Sequence, residues 1–301
     1  MSILQSLLSY LTAHPQPLRT PTTSLHLAQQ APLFLASPDS KKDTQETWYL
    51  HETLLLAALY TRDDPTAQLH LSALSARFGA DTPRVLALQG LFDEATAAGR
   101  TQLDDLLKRY EKLLRTDPTC APIERRRVAV LRSLGRPEDA ISALTRTVGH
   151  SPTDAEAWSM LAELYKEQGM YPQATFCLEE VLLIVPNAYN VHARLGEIAL
   201  LAAGKEAEGL AEAVKWYCRS VELCEWYLRG LYGLVLATGR ILESGKGEKL
   251  GLQKGAVEEL NTKARARLQE IVDRAKRGEA GWTGFDLGEV KAADELMQQE
   301  R

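Results

Sequence analysis

The chain has 301 residues, 45% of them hydrophobic and 25% charged, and a formal net charge of −5. That is the make-up of a folded chain long enough for one extended solenoid or two compact domains, and its acidic balance gives no sign of a surface built for nucleic acid. Four cysteines, Cys120, Cys177, Cys218 and Cys224, form no C-x-x-C pair, so they predict buried thiols in a reducing compartment rather than a disulfide framework.

The N-terminus, MSILQSLLSYLTAHP, has no positive residue before its apolar part, which argues against a signal peptide. Ile3, Leu4, Leu7, Leu8 and Leu11 fall instead at helical spacing. The longest apolar runs, Leu54 to Tyr60 and Ile198 to Ala203, are far short of the roughly 18 residues that a membrane span requires. Residues Pro15 to Lys42 include five prolines and predict one short helix near Ser24 to Ala31 between flexible stretches. Residues 1–45 therefore form a helix followed by a Pro-rich segment.

From residue 46 to 277 the chain reads as helix pairs. Glu46 to Tyr60 and Thr66 to Phe78 make the first, separated by Asp63-Asp64-Pro65. In the second, Arg84 to Pro118, Val85, Leu88, Leu91 and Phe92 face inward, Gly99 breaks the helix, and Leu103, Leu106, Leu107, Tyr110 and Leu113 form the answering stripe. The unit Ala121 to Pro152 is degenerate, with Val128 and Leu131 on its first helix, Gly135 at the turn, and Ala140 and Leu144 on the second.

The clearest unit runs from Ala155 to Pro186. Trp158, Leu161, Ala162 and Tyr165 lie at i, i+3, i+4 and i+7, Gly169 breaks the helix, and Pro172 opens the next one, where its missing N–H costs nothing. Ala174, Leu178, Val181 and Leu182 give that second helix its apolar face, and Pro186 stops it. Small Ala162 and Ala174 let two helices approach, while Trp158, Leu161 and Tyr165 fill the space between them. Pro118, Pro152 and Pro186 recur 34 residues apart, the period of the tetratricopeptide repeat. The fold class is thus all-α, an α-α superhelix of stacked helix pairs.

After Pro186, Tyr189 to Ala203 places Leu195 and Gly196 at the two signature positions, and its partner, Ala211 to Leu223, arrives about five residues late, after an insert containing Gly204-Lys205-Glu206. Two long helices follow, Trp226 to Glu243 and Val257 to Arg277, joined by a Gly/Lys-rich link from Ser244 to Gly255 that predicts mobility. In the tail, 278–301, Val290, Ala293, Leu296 and Met297 share one side, which suits a cap on the last pair or a contact with a partner.

Motifs with chemistry are wanting. His51-Glu52 begins like H-E-x-x-H, but Leu55 stands where the second histidine belongs. Gly239 to Gly247 (GRILESGKG) is one residue too long for a phosphate loop and ends in glycine instead of Ser or Thr. Cys218 and Cys224 fall on different helix faces. No catalytic constellation, cofactor site or metal site is predicted.

Charge is distributed unevenly. Glu124 to Arg132 has four arginines and one glutamate, whereas Asp154 to Glu180 has six carboxylates against Lys166. Adjacent units of opposite sign attract and can steer partners, although packing holds the stack. The first helices of such stacks line the inner wall. The positions left over from packing are then Arg125, Ala129 and Arg132; Ser159, Glu163 and Lys166; and Asn190, Ala193 and Glu197. These nine form the expected partner-binding groove.

The run DAEAWSMLAELYKEQGMYPQATFCLEEVLLIVP (Asp154 to Pro186) resembles the central repeat of the endoplasmic reticulum membrane protein complex subunit 2 family. LLKRYEKLLRTDP and ERRRVAVLRSLGRPEDAISAL upstream, the late second helix, and the long helices around Leu231-Tyr232-Gly233-Leu234 also resemble it. The likeness covers about Glu46 to Arg277. It implies a non-catalytic, cytosolic-side scaffold, peripheral to the endoplasmic reticulum membrane through its partners. Those partners would be a soluble cytosolic subunit and the cytosolic parts of membrane subunits, in a machine that inserts tail-anchored and multi-span proteins. The alternative is a chaperone adaptor gripping a C-terminal peptide. Arg125 and Arg194 could serve its carboxylate clamp, but Ala129 and Met160 stand where asparagines are expected.

Overall fold

The computed structural model describes residues 2–14, 18, 20–203, 207–245, 253–279, 281, 282 and 284–298. Every regular element among these residues is helical. Contacts gather them into two compact units, Met1–Ala143 and Leu144–Arg301.

The first unit begins with α1 (Ile3–Ala13), closed by a capping box between Ser2 and Gln5. α2 (Pro21–Ala36) is twice the length that its prolines predict. Pro21 stands in the first turn, where no N–H is needed. Pro32 lies inside the helix, an interruption that costs on the order of 3 kcal/mol. What offsets that cost is burial. Leu27, Ala28, Ala31 and Phe34 fall on one face and pack with Leu7 and Leu11 of α1 and Leu50, Leu54 and Ala57 of α3 (Gln45–Tyr60). Each fully buried large side chain contributes about 1.5–3 kcal/mol. A 3-10 turn, Pro38–Lys41, leads into α3.

α4 (Asp64–Phe78) completes a hairpin with α3, and Leu55, Ala58, Ala67, Leu71 and Leu74 form its interior together with Leu88 of α5 (Pro83–Thr96). α6 (Arg100–Thr116) and α7 (Ala121–Ser133) follow. The boundary between the units falls within α8 (Pro137–His150).

In the second unit, α9 (Ala155–Glu167) pairs with α10 (Tyr171–Ile184), and α11 (Tyr189–Ala203) with α12 (Ala207–Leu223). α13 (Leu228–Ser244), α14 (Lys254–Lys276) and α15 (Leu287–Gln298) pack in succession after them. The α9/α10 interface has the small-residue core that the spacing predicts: Ala162, Ala174 and Leu178 have no exposed surface, and Leu161 is buried. Trp158 and Tyr165 are only half-buried. The Trp158 indole is held at the edge of the hairpin, because its Nε1–H donates to the Pro152 carbonyl at 2.8 Å and its ring meets the exposed Phe176. Pro186 is exposed, two residues beyond the end of α10.

The repeat shows in the backbone as well. The Arg136 N–H bonds to the Leu131 carbonyl at 2.9 Å, and 34 residues later the Met170 N–H bonds to the Tyr165 carbonyl at 2.8 Å. The residue inside each turn is left-handed, Gly135 with φ 69° and Gly169 with φ 71°, a conformation that costs glycine nothing. The α3/α4 turn closes the same way, Asp63 N–H to the Ala58 carbonyl at 2.9 Å, but here Arg62 holds the left-handed position with φ 59°.

At the C-terminal end, α15 docks on α14 and α13 as a cap, through buried Val290, Ala293 and Leu296. Asn261 of α14 is buried and bonds to the Val235 carbonyl (3.2 Å) and to Thr238 Oγ1 (2.7 Å) of α13, while its Oδ1 accepts from Arg265. Gly239 to Ser244 are the last turns of α13, so that stretch is helix and no phosphate cradle. The Gly204-Lys205-Glu206 insert and most of the Ser244–Gly255 link lie outside the described residues. Cys177 is buried, while Cys120, Cys218 and Cys224 are half-buried, and none of the four is in a disulfide.

Candidate functional site

The second unit gathers six of the nine expected groove residues. Ser159, Glu163 and Lys166 lie along α9, and Asn190, Ala193 and Glu197 along α11. Spacings of three and four put each trio on one helix face. Asn190 and Glu197 are exposed, whereas Ala193 is buried, with only its edge reaching the surface.

Three of these side chains pair with one another. Lys166 Nζ lies 2.9 Å from Glu163 Oε1 and 3.3 Å from Glu197 Oε1. Arg194 of α11 completes the ladder: its Nη2 donates to Glu163 Oε2 and to the Ser159 carbonyl, both at 3.1 Å, and its Nη1 donates to Ser159 Oγ. Partial burial would raise the Glu163 carboxyl, but Lys166 and Arg194 together hold it below its ordinary range. Burial would likewise depress Lys166, and the two glutamates raise it instead. The ladder ties consecutive first helices together and fixes their register.

Beside it, α11, α12, α13 and α15 enclose a groove of about 600 Å³. Its walls include the half-exposed Leu201 and half-buried Tyr232 and Leu236. Arg229 bonds to Glu289 of α15 through both Nε (2.9 Å) and Nη2 (2.6 Å). Arg240, exposed on α13, also borders the groove.

Tyr217 reaches this groove from α12, the outer helix of its pair. Its ring passes between Gly196 of α11, where an added Cβ would sit 3.0 Å from the ring, and Gly233 of α13, where one would overlap the ring and approach Oη to 2.6 Å. Only glycine leaves that passage open. Tyr217 is 4% exposed, yet it lines the groove. Burial, with Glu197 nearby, pushes its phenol up, so the hydroxyl keeps its proton.

Arg125, Ala129 and Arg132 belong to the first unit, on α7, with Arg125 and Ala129 half-buried and Arg132 exposed. There Tyr110 of α6 passes Gly90 of α5, and its hydroxyl donates to Glu94 at 2.9 Å, while Arg126 Nη1 lies 3.2 Å from the same carboxylate. Burial is the main cause that raises the Glu94 carboxyl. Of the arginine run, Arg127 pairs with Glu124 at 2.6 Å.

Spacing picks out one face of α9 and one of α11, on which Ser159, Glu163 and Lys166 are half-buried and Ala193 is buried, and it does not pick out Tyr217, Gly233, Tyr232 or Arg240. The available signal was a pair of helix-interior glycines flanking an aromatic residue on the intervening helix. Among the described residues, no group of three or more His, Cys, Asp or Glu could hold a metal ion, and no helix is long and apolar enough to cross a membrane.

A tetratricopeptide-repeat family model matches residues 131–208. The chain is 34% identical over 207 residues to the TPR repeat protein oca3 of Schizosaccharomyces pombe, covering 69% of this chain and 72% of that one. It is 30% identical over 212 residues to ER membrane protein complex subunit 2-A of Xenopus laevis (70% and 69% covered). With ER membrane protein complex subunit 2 of Saccharomyces cerevisiae it shares 26% over 260 residues (81% and 87%). Among solved structures, the C-terminal part of a TPR repeat-containing protein from Cytophaga hutchinsonii superposes with a TM-score of 0.51 at 15% identity, covering 87% of this chain and 95% of that one, a likeness of fold alone. Repeat period, left-handed turns and a kinship that covers about 70% of the chain agree, and the chain belongs to the ER membrane protein complex subunit 2 family of tetratricopeptide-repeat proteins.

Proposed function

We propose that this protein is a non-catalytic scaffold subunit of an ER membrane protein complex, held at the cytosolic face of the membrane by its partners. It bridges a soluble cytosolic subunit and the cytosolic parts of membrane subunits, in a machine that inserts tail-anchored and multi-span proteins. The observation that supports this reading most is the kinship with complex subunits over about 70% of the chain. It is joined by a first-helix face whose charges are already internally paired. Such a face is rigid and offers shape to a polypeptide rather than chemistry to a small substrate.

A chaperone-adaptor role would require Arg194 to present an open fork to a peptide carboxylate. Arg194 is instead committed to Ser159 and Glu163 of its own chain. The experiment is co-purification of the tagged chain from detergent-solubilised membranes. Recovery with multi-span membrane proteins and one soluble companion is the expected result. Recovery of the chain alone, or with a cytosolic chaperone through its tail peptide, would overturn the scaffold reading.

A further inference from the structure

Tyr217 has a hydroxyl without a purpose inside the protein. Tyr217 as a residue is 4% exposed, its Oη is not among the fully enclosed polar atoms, and a nearly buried polar group of this kind ordinarily finds a partner in the protein or in water. The equivalent device in the first unit has one, because Tyr110 Oη donates to Glu94. No residue among those described accepts from Tyr217, although two helix glycines are given over to letting it through. Its tip opens onto the groove shared by α11, α13 and α15.

The surroundings define what fits there. Leu201, Tyr232 and Leu236 supply apolar wall. Three arginines and two glutamates border the groove. Arg194 is taken by Glu163, Glu197 by Lys166, and Arg229 and Glu289 by each other. Arg240 makes no ion pair among the described residues. It stands seven residues beyond Gly233, about 10 Å farther along α13. The groove thus offers one hydrogen-bond donor at its floor, apolar walls, and one uncompensated cation at its end.

We propose that this groove is a docking site for an acidic, leucine-rich amphipathic segment of a partner polypeptide. Its apolar face fills the space between Leu201 and Leu236, a backbone carbonyl accepts from Tyr217 Oη, and a carboxylate pairs with Arg240. The proposal takes from the scaffold reading only that the segment comes from a partner subunit. The protonated phenol suits a carbonyl acceptor, and the charge imbalance selects acidic over basic segments.

The test uses the full chain and two fluorescein-labelled 14-residue peptides with the same leucine face, one with glutamate and the other with lysine at all remaining positions. The glutamate peptide is expected to bind at least tenfold more tightly. Tyr217→Phe should weaken it about fivefold, the worth of one neutral hydrogen bond, with no change in melting temperature because the hydroxyl has no internal partner. Arg240→Glu should abolish or invert the preference between the peptides. Equal binding of the two peptides, binding of neither, or an unaltered affinity in Tyr217→Phe would each overturn the site. Co-purification of Tyr217→Phe/Arg240→Glu is measured in parallel. Full recovery of membrane partners with peptide binding lost would remove the site as a partner anchor and leave the scaffold standing. A wild-type chain recovered alone would remove the scaffold, while the titration would still decide the site.

Discussion

Mild acid should destabilise the protein through two buried histidines. His51 and His70 are 1% and 0% exposed, and their Nδ1 atoms lie 3.0 Å apart. His51 Nε2 lies 3.1 Å from the Ser40 carbonyl, which can only accept, so His51 is protonated on Nε2 and accepts on Nδ1. His70 must then donate from Nδ1, which leaves its Nε2 as a lone pair, and that atom has no partner. A proton added to the pair would therefore bring a charge into a site walled by Phe34 and Trp48. Burial lowers both histidines; His70, further lowered by His51 and only partly restored by Asp63, falls to about 3. In the unfolded chain both titrate near 6.5. Their folded-state values are depressed, so the unfolded state binds more protons below pH 6.5, and stability present above that pH is lost as pH falls. One such proton gives a slope of about 1.4 kcal/mol per pH unit, hence about 2–3 kcal/mol between pH 6.5 and 4.5 from His70 alone. Urea midpoints at pH 7, 5.5 and 4.5, compared between wild type and His70→Leu, measure it. The wild type should lose about 2–3 kcal/mol more than the variant; parallel losses would refute the neutral-pair account.

Three further outcomes are expected. Arg62→Gly should stabilise the chain by up to about 1 kcal/mol, because it relieves a left-handed non-glycine residue at the α3/α4 turn; an unchanged urea midpoint would count against strain there. Asn261→Ala should cost about 1–3 kcal/mol by severing the bonds to Val235 and Thr238, read as a lower melting temperature with helicity intact at 25 °C. Trp158→Phe should cost about 1 kcal/mol for the lost bond to Pro152, and Trp158→Ala more, yet less than the roughly 3–5 kcal/mol of a fully buried aromatic. Chemical denaturation of the two variants separates hydrogen bond from packing.

The helix pairs were legible because their signals are local. Gly135 and Gly169 stand in phase and adopt the same backbone conformation, and apolar spacing of three and four picks out Leu161, Ala162, Ala174 and Leu178. In the N-terminal segment the prolines read as helix breakers, and the helix there is nevertheless twice the expected length. Pro21 starts a helix, and Pro32 is carried inside one by the burial of Leu27, Ala31 and Phe34. That burial depends on α1 and α3, at a distance in sequence that no local pattern reports. For the site, spacing placed Ser159, Glu163, Lys166 and Glu197 together but left them reading as unpaired. Glu163 and Lys166 pair locally, three residues apart, but the bonds of Arg194 to Ser159 and Glu163 and of Lys166 to Glu197 span 31 residues or more and are tertiary facts. Tyr217 was hidden for a similar reason: an aromatic on an outer helix reads as core until the glycines on both neighbouring helices are known to let it through.

Proline stands in the opening turn of α2, α4, α5, α7 and α10, and left-handed residues close α3, α7 and α9. Those helices are thus delimited by residues within or next to them, and in the second unit the chief contacts of a helix are with the one made just before or just after. A polypeptide with that arrangement can fold in the order in which the ribosome releases it. Every hairpin closes once its own thirty-odd residues have emerged, and neighbouring helices cannot fuse into one long rod while they wait.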